Sequence, residues 1–176
     1  MVQIITDSSA LTTPAEGKAL GIDVIPLCVS ILDEEYRDLQ VNMDYFYGQI
    51  AKGGIPRSSQ PPLGDYVEAY RRHAGKKILN IAMADGLSGT YLSACGAKEM
   101  AENKEDIVVY NSRTLCGPHR HLVWKAAQMA QQGKSLADIV LALDECTRHC
   151  ESFLIAQDFE FLRRGGRLTP LAAKFG

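Results

Sequence analysis

The chain has 176 residues, of which 46% are hydrophobic and 23% are charged, and its formal net charge is -2. This length suffices for one domain with a sizeable core, and the composition is that of an ordinary globular protein. The charge argues against sequence-independent nucleic-acid binding, and no apolar run is long enough to span a bilayer. Because the N-terminus also lacks a signal-peptide pattern, we expect a soluble cytoplasmic protein without stable membrane insertion.

The first part of the chain predicts a strand followed by a polar turn. Residues 2–6 are mainly apolar, with Val2, Ile4 and Ile5, and the turn after them carries Asp7, Ser8 and Ser9. If the strand is parallel to its neighbours, this turn lies at the carboxyl edge of the sheet, where open α/β sheets bind ligands. Ser8 and Ser9 are therefore a candidate ligand loop. The next predicted elements are a helix over residues 14–20 and a strand over 23–32, which forms a small hairpin with residues 36–38 across the charged turn 33–35. A second helix is predicted from residue 42 or 43 to residue 52.

Three prolines lie in the segment of residues 56–62. Prolines restrict the backbone and disfavour regular structure, so we predict an irregular loop that presents Ser58 and Ser59 with little entropy to lose on binding. A plain connector into the predicted helix over 63–74 explains the same residues equally well.

A glycine- and serine-rich turn, residues 84–91, follows the predicted apolar strand over 78–84 and leads into a helix. Such turns bind anions because the first helical N–H groups lack partners, while glycines permit positive φ and close approach of a ligand. Ser88, Gly89 and Thr90 are therefore candidate anion-binding residues. A carboxylate at Asp85 would repel an anion. Turns between a strand and a helix also need glycine whether or not they bind a ligand, so a purely structural role explains the same residues.

The remaining pattern repeats strand, polar turn and helix. We predict a strand over 107–110, helices over 118–132 and 135–149, a strand over 153–156 and a short helix over 159–164. Arg167 closes a Gly-Gly turn and suits a carboxylate or phosphate. The repeated order predicts a three-layer α/β/α fold with a mainly parallel sheet.

The five cysteines are scattered and include no C-x-x-C pair, so we expect reduced thiols. Cys146, His149 and Cys150 are close in sequence, but a four-ligand site needs further partners at ligand spacing. His119 and His121 are two residues apart and point to different sides of a helix. We predict no metal and no cofactor.

Taken together, five motifs resemble the successive signatures of the DegV family. They are residues 5–9 (ITDSS), 58–61 (SSQP), 87–94 (LSGTYLSA), 133–135 (GKS) and 161–167 (FLRRGGR). The resemblance implies a bacterial fatty-acid-binding protein that does no chemistry itself. By the same resemblance, the protein presents a long-chain fatty acid to a partner fatty acid kinase, which phosphorylates the carboxylate.

The resemblance also implies where the carboxylate is held. It places the head group on hydroxyls of the second and third motifs, so we expect Ser58, Ser88, Gly89 and Thr90 to bind it, with Arg167 as a cationic partner. Ser8, Ser9 and Ser59 are the additional candidate ligand residues. The family usually has Thr where Ser58 stands and two serines where Ala84 and Asp85 stand.

Family members continue for roughly another domain. We therefore expect residues 1–150 to form the α/β domain and residues 151–176 to begin a second, incomplete lipid-binding domain. An enzyme acting on a small phosphorylated or nucleotide ligand remains the alternative, since parallel sheets with such turns serve many enzymes. The chain has neither a G-x-x-x-x-G-K-[ST] loop nor a G-x-G-x-x-G turn. An interaction-only protein is a third, weaker option.

Overall fold

The structure is a computed structural model that describes residues 1–155 and 158–168. The chain divides into two compact units, one formed by residues 1–27 and 60–152 and the other by residues 28–59 and 153–176. The sequence placed a boundary between residues 150 and 151 but did not predict that residues 28–59 group with the later segment. The assignment of residues 151–176 to the beginning of a second domain, made from the sequence, stays a prediction.

Seven strands and seven helices lie in the described residues. The strands are β1 (Gln3–Asp7), β2 (Ile22–Ile25), β3 (Cys28–Ile31), β4 (Glu34–Arg37), β5 (Arg57–Ser59), β6 (Ile78–Ala82) and β7 (Ile107–Asn111). The helices are α1 (Pro14–Leu20), α2 (Met43–Ala51), α3 (Leu63–Arg72), α4 (Thr90–Met100), α5 (Cys116–Gln131), α6 (Leu136–Arg148) and α7 (Phe159–Arg164). Short 3-10 turns cover Ser8–Ala10 and Lys104–Asp106. No helix in these ranges is long and apolar enough to cross a membrane.

The larger unit contains a four-stranded sheet in the order β2-β1-β6-β7, and every neighbouring pair is parallel. Side chains alternate between its two faces, as a strand requires. Ile4 packs with residues of α5 and α6, whereas Ile5 packs with residues of α3 and α4. The predicted three-layer α/β/α fold is therefore confirmed, with β6 in the interior of the sheet.

Local signals placed the ends of two helices correctly. Thr13 precedes α1 and forms a reciprocal capping box with Glu16, while Gly21 ends the helix at a φ of 72°. Ser135 and Asp138 form the same arrangement at the start of α6. These short-range hydrogen bonds satisfy backbone groups that would otherwise lack partners.

The smaller unit contains a three-stranded antiparallel sheet in the order β4-β3-β5. The hairpin of β3 and β4 was predicted, but the single strand predicted over 23–32 is wrong, because β2 and β3 belong to different sheets. The predicted irregularity of 56–62 is also wrong at β5. The three residues of β5 lie between Pro56 and Pro61. Unlike proline they have backbone N–H groups, so they can form the hydrogen bonds that pair a strand with β3.

The last predicted strand, over 153–156, is also wrong in its described part. Residues 153–155 form neither a strand nor a helix. Ala156 lies outside the described residues. An apolar run alone does not make a strand, because a strand also needs a partner for its backbone groups.

Candidate functional site

The candidate site in the larger unit lies at the carboxyl edge of the sheet, where β1 and β6 are neighbours. The chain continues from β1 to β2 on one side and from β6 to β7 on the other, so the order reverses between these two strands. Open α/β sheets bind ligands in the crevice at such a switch point. The turns that follow β1 and β6 carry two of the predicted ligand segments.

Asp7 joins these two turns. It is fully buried, and its carboxylate accepts hydrogen bonds from the backbone N–H groups of Ser9 (3.0 Å) and Met83 (2.9 Å). Two charge-assisted bonds offset the cost of removing this carboxylate from water. Asp7 therefore has a structural role that the sequence did not reveal.

The two serines after Asp7 differ in their environment. Ser8 is 2% exposed, and its Oγ accepts the N–H of Leu27 at 3.1 Å. This buried contact leaves it little access to a ligand. Ser9 is only partly buried, and its Oγ lies 3.0 Å from His119 Nδ1. Of the two, Ser9 remains the candidate for ligand contact.

His119 lies behind Ser9 and is fully buried. Its Nε2 is 3.1 Å from the carbonyl oxygen of Ile81 and 3.2 Å from Thr6 Oγ1, which itself donates to the same carbonyl. A carbonyl oxygen can only accept, so Nε2 carries the hydrogen in the neutral ring. Burial lowers the pKa of His119, although attraction to Asp7 and the bond to Ile81 act in the opposite direction. Sequence reasoning weighed this residue only as a metal ligand.

Ser88 and Thr90 share one hydrogen bond at the start of α4. Their hydroxyl oxygens are 2.8 Å apart, and Ser88 Oγ also accepts the N–H of Thr90 at 3.3 Å. Thr90 is buried, whereas Ser88 is partly exposed. If Thr90 donates to Ser88, the hydroxyl hydrogen of Ser88 stays available for an acceptor. The predicted group of Ser88, Gly89 and Thr90 is thus one continuous turn with a spare donor.

Gly89 has a φ of -70°, so of the two properties that glycine offers this turn, a positive φ is not used here. A Cβ atom built there would lie 3.2 Å from the Gln60 side chain. The absence of a Cβ at Gly89 lets the Gln60 side chain lie close to the turn, and the backbone there is not left-handed. Asp85 is exposed and lines a polar surface cleft of about 520 Å³ together with Tyr91 and Arg113.

The other predicted ligand residues lie in the smaller unit. Arg167 Nη2 donates to the carbonyl oxygen of Ser58 at 2.9 Å and approaches Ser58 Oγ at 3.4 Å. Both side chains are exposed and line a surface cleft of about 370 Å³. Ser59 lies opposite Cys28 in the antiparallel pair of β3 and β5. The structure thus brings Ser58 and Arg167 together, and the Ser88 turn belongs to the other unit.

Within the described ranges, no three His, Cys, Asp or Glu side chains are grouped as a metal ion would require. The five cysteines are free thiols. The grouping of Cys146, His149 and Cys150 in the sequence therefore does not become a metal site among these residues.

Comparison with known proteins relates the whole chain to one family. The profile described as "Uncharacterised protein, DegV family" matches residues 1–176. A DegV domain-containing protein of Halalkalibacterium halodurans is 33% identical over 173 residues, which are 96% of this chain and 61% of that protein. The chain therefore spans about three fifths of the length of this relative.

Solved structures agree with this relationship. The crystal structure of DegV, described as a fatty acid binding protein from Bacillus subtilis, has a TM-score of 0.84 at 31% identity, covering 99% of this chain and 64% of that one. A fatty acid kinase (Fak) B3 protein of Streptococcus pneumoniae loaded with linoleic acid has a TM-score of 0.77 at 23% identity, with 99% and 64% covered. At that lower identity the likeness shows the fold alone.

Proposed function

This chain belongs to the DegV family, and we propose that it binds a long-chain fatty acid whose carboxylate is held by hydroxyl groups. In this proposal Ser88 and Thr90, with the close-approach residue Gly89, form the part of the head-group site in the larger unit. Ser58, Ser59 and Arg167 are the proposed ligand-binding residues of the smaller unit. The Bacillus subtilis relative is described as a fatty acid binding protein, which supports this ligand class.

The observation that carries the proposal is the shared hydrogen bond of Ser88 and Thr90 at the switch point of the sheet. With Thr90 as the donor, the hydroxyl hydrogen of the partly exposed Ser88 is available to a ligand. A carboxylate that leaves water needs charge-assisted hydrogen bonds, each worth about 1.5–3 kcal/mol. The start of α4 adds the positive end of a helix of 11 residues. The turn is therefore suited to an anionic head group.

The proposal extends to the partner and the role of the protein. We propose that it acts in the cytoplasm as a carrier without catalysis of its own and presents the fatty acid to a fatty acid kinase. This part rests on the resemblance of the five motifs to the family. Residues 151–176 would then begin a second lipid-binding domain, to which Arg167 contributes.

Two measurements on the full-length gene product test the proposal. Organic extraction of the purified protein followed by mass spectrometry should detect a bound long-chain fatty acid. Titration with a fluorescent fatty acid should show that Ser88→Ala weakens binding about tenfold or more, because tenfold corresponds to about 1.4 kcal/mol.

Arg71→Ala is the matched control for the titration. Arg71 is exposed and pairs with Glu68 on its own helix, so its loss should leave the affinity unchanged. Equal affinity of Ser88→Ala and the parent protein would end the head-group assignment. Absence of both extracted lipid and titratable binding would end the proposed function.

A further inference from the structure

Ser9 and His119 form a hydrogen-bonded pair at the carboxyl edge of the sheet, and this pair is not part of the proposed head-group site. His119 Nε2 carries the ring hydrogen because it faces the carbonyl of Ile81, as described above. In the neutral ring Nδ1 is therefore an acceptor, and the Ser9 hydroxyl, 3.0 Å away, donates its hydrogen to it. Ser9 is partly exposed, but its one donor hydrogen points at the ring.

This arrangement limits what Ser9 can offer to a ligand. With its hydrogen committed to His119, Ser9 Oγ can only accept a hydrogen bond, and two acceptor oxygens repel each other. Protonation of Nδ1 reverses the bond, because Nδ1–H then donates to Ser9 Oγ. The hydroxyl hydrogen of Ser9 is thereby released and can turn toward an anion.

Burial disfavours a protonated His119 ring and lowers its pKa, so uptake of a proton depends on the contacts that oppose this effect. The buried carboxylate of Asp7 attracts the protonated ring from β1, and Ile81 accepts from its Nε2 on β6. The remaining contacts from β1 and the 3-10 turn are the hydroxyls of Thr6 and Ser9. On α5 itself, Arg120 donates to the carbonyl oxygen of Leu11 and His121 is exposed. Helix α6 packs on α5 through apolar side chains that include Leu122 and Ile139, and Lys125 donates to Cys146.

The position of Ser9 links it to the proposed head-group turn. Asp7 accepts N–H groups from both Ser9 and Met83, so it joins the loop after β1 to the loop after β6. Both loops lie at the switch point of the sheet. An anion bound at this edge of the sheet would lie near the end of β1, which Ser9 follows, and near the end of β6, which the turn of Ser88 follows.

We propose that Ser9 and His119 are a proton-linked part of the head-group site, so that binding of an anion is accompanied by uptake of one proton at His119 Nδ1. The captured anion then receives the hydroxyl hydrogen of Ser9. The inference rests on the proposed function, since it concerns the same head group. His119 acts as a positioning residue through Ser9 and does not touch the ligand itself.

The test uses dodecanesulfonate, whose head group stays charged over the whole pH range, so that only protein groups titrate. Its affinity for the full-length gene product is measured by calorimetry from pH 8 to about pH 5.5, in buffers of different ionisation enthalpy. We expect the affinity to rise by up to about tenfold per pH unit on acidification, since one proton is taken up. The apparent binding enthalpy should depend on the buffer.

Variants assign this proton to His119. Ser9→Ala and His119→Gln should each flatten the pH profile and abolish the dependence on buffer. His121→Gln is the matched control, because His121 is exposed and lies two residues further along the same helix. It should keep the full profile. Ser9→Ala removes one partly exposed hydroxyl, so it decides the question even if His119→Gln does not fold.

The outcomes separate the two proposals. Binding with a flat pH profile and no buffer dependence in the parent protein would overturn this inference and leave the proposed function standing. A profile that survives in Ser9→Ala would overturn it as well. No binding of dodecanesulfonate or of a fatty acid at any pH would overturn the proposed function and this inference together.

Discussion

The Asp7 carboxylate accepts a hydrogen bond from the backbone N–H of Met83, although 76 residues separate them in the chain. Met83 follows the interior strand β6, and Asp7 ends the neighbouring strand β1. One buried side chain thus fixes the relative position of two loops that local hydrogen bonds could not align. The predictions below test this arrangement and its neighbours.

Asp7→Asn should destabilise the larger unit by about 1.5–3 kcal/mol. The amide keeps one acceptor oxygen but turns an NH₂ group toward a backbone N–H, so one buried donor loses its partner. Urea denaturation followed by circular dichroism measures the change. Asp85→Asn, at an exposed position in the adjacent turn, should leave the unfolding midpoint unchanged. An unchanged midpoint for Asp7→Asn would show that its bonds contribute no net stability.

Tyr66 and Tyr70 form a matched pair for a second test. Both are fully buried on α3, and their ring centroids are 6.3 Å apart. Among the described residues the hydroxyl of Tyr66 has no partner, whereas that of Tyr70 donates to Ala94 O and accepts from Asn80 Nδ2 at 2.7 Å. Tyr66→Phe should therefore raise the free energy of unfolding or leave it unchanged, and Tyr70→Phe should lower it by about 1–3 kcal/mol.

Denaturation of the two variants side by side checks this expectation. The reverse order of stabilities would mean that the Tyr66 hydroxyl is satisfied in solution, for example by a buried water molecule. Hydrogen–deuterium exchange in α3 would then show lower protection in Tyr66→Phe than in Tyr70→Phe.

Gly17→Ala should destabilise the protein through contact between α1 and β2. A Cβ atom there would lie 2.6 Å from Val24 Cγ2 and 2.9 Å from the backbone oxygen of Ile22. Overpacking of this kind costs about 1–3 kcal/mol because the backbone must shift. Gly64→Ala is the control in α3, where the added Cβ would meet no atom of the described residues outside its own helical turn within 4 Å, and it should be neutral or stabilising by up to about 1 kcal/mol. Thermal unfolding of both variants measures the difference.

The buried ring of His119 predicts a loss of stability in acid. Burial lowers its pKa in the folded state below the ordinary value of about 6.5, so the unfolded chain binds the proton more readily. This contribution is fully present above about pH 6.5 and is lost as the pH falls toward the lowered pKa of the folded protein. Urea midpoints from pH 7.5 to about pH 5 should therefore fall less steeply for His119→Gln than for the parent.

His121→Gln controls for the loss of a histidine at an exposed position on the same helix. Its pH profile should follow that of the parent protein. If His119→Gln and the parent lose stability in parallel, another group is responsible for the acid sensitivity.

Arg167→Ala should weaken fatty-acid binding a few fold, because Ser58 loses the guanidinium that contacts both its carbonyl and its hydroxyl. The effect should be smaller than that of Ser88→Ala, since both groups are exposed. Arg164→Ala is the matched control, because Arg164 pairs with Glu160 within α7. Fluorescent fatty-acid titration and a coupled kinase assay are the measurements. Loss of kinase coupling at unchanged affinity would assign Arg167 to the docking surface instead.

Several elements were predictable because their signals are local. Thr13 with Glu16, and Ser135 with Asp138, mark helix starts by hydrogen bonds within four residues. The alternation of Ile4 and Ile5 between two cores follows from the period of a strand. The five motifs likewise led to the family, because each is a short continuous stretch.

The three-layer architecture of the larger unit and the turn that contains Ser88, Gly89 and Thr90 could be predicted from the amino-acid sequence, because periodicity, caps and motifs are properties of neighbouring residues. The pairing of Arg57–Ser59 with β3, the contact of Arg167 with Ser58 and the position of His119 behind Ser9 became visible in the folded protein alone. Ser9 and His119 are 110 residues apart, and Ser58 and Arg167 are 109 apart. Such contacts depend on how strands and helices pack, and no local pattern of residue types records which distant side chain completes a hydrogen bond.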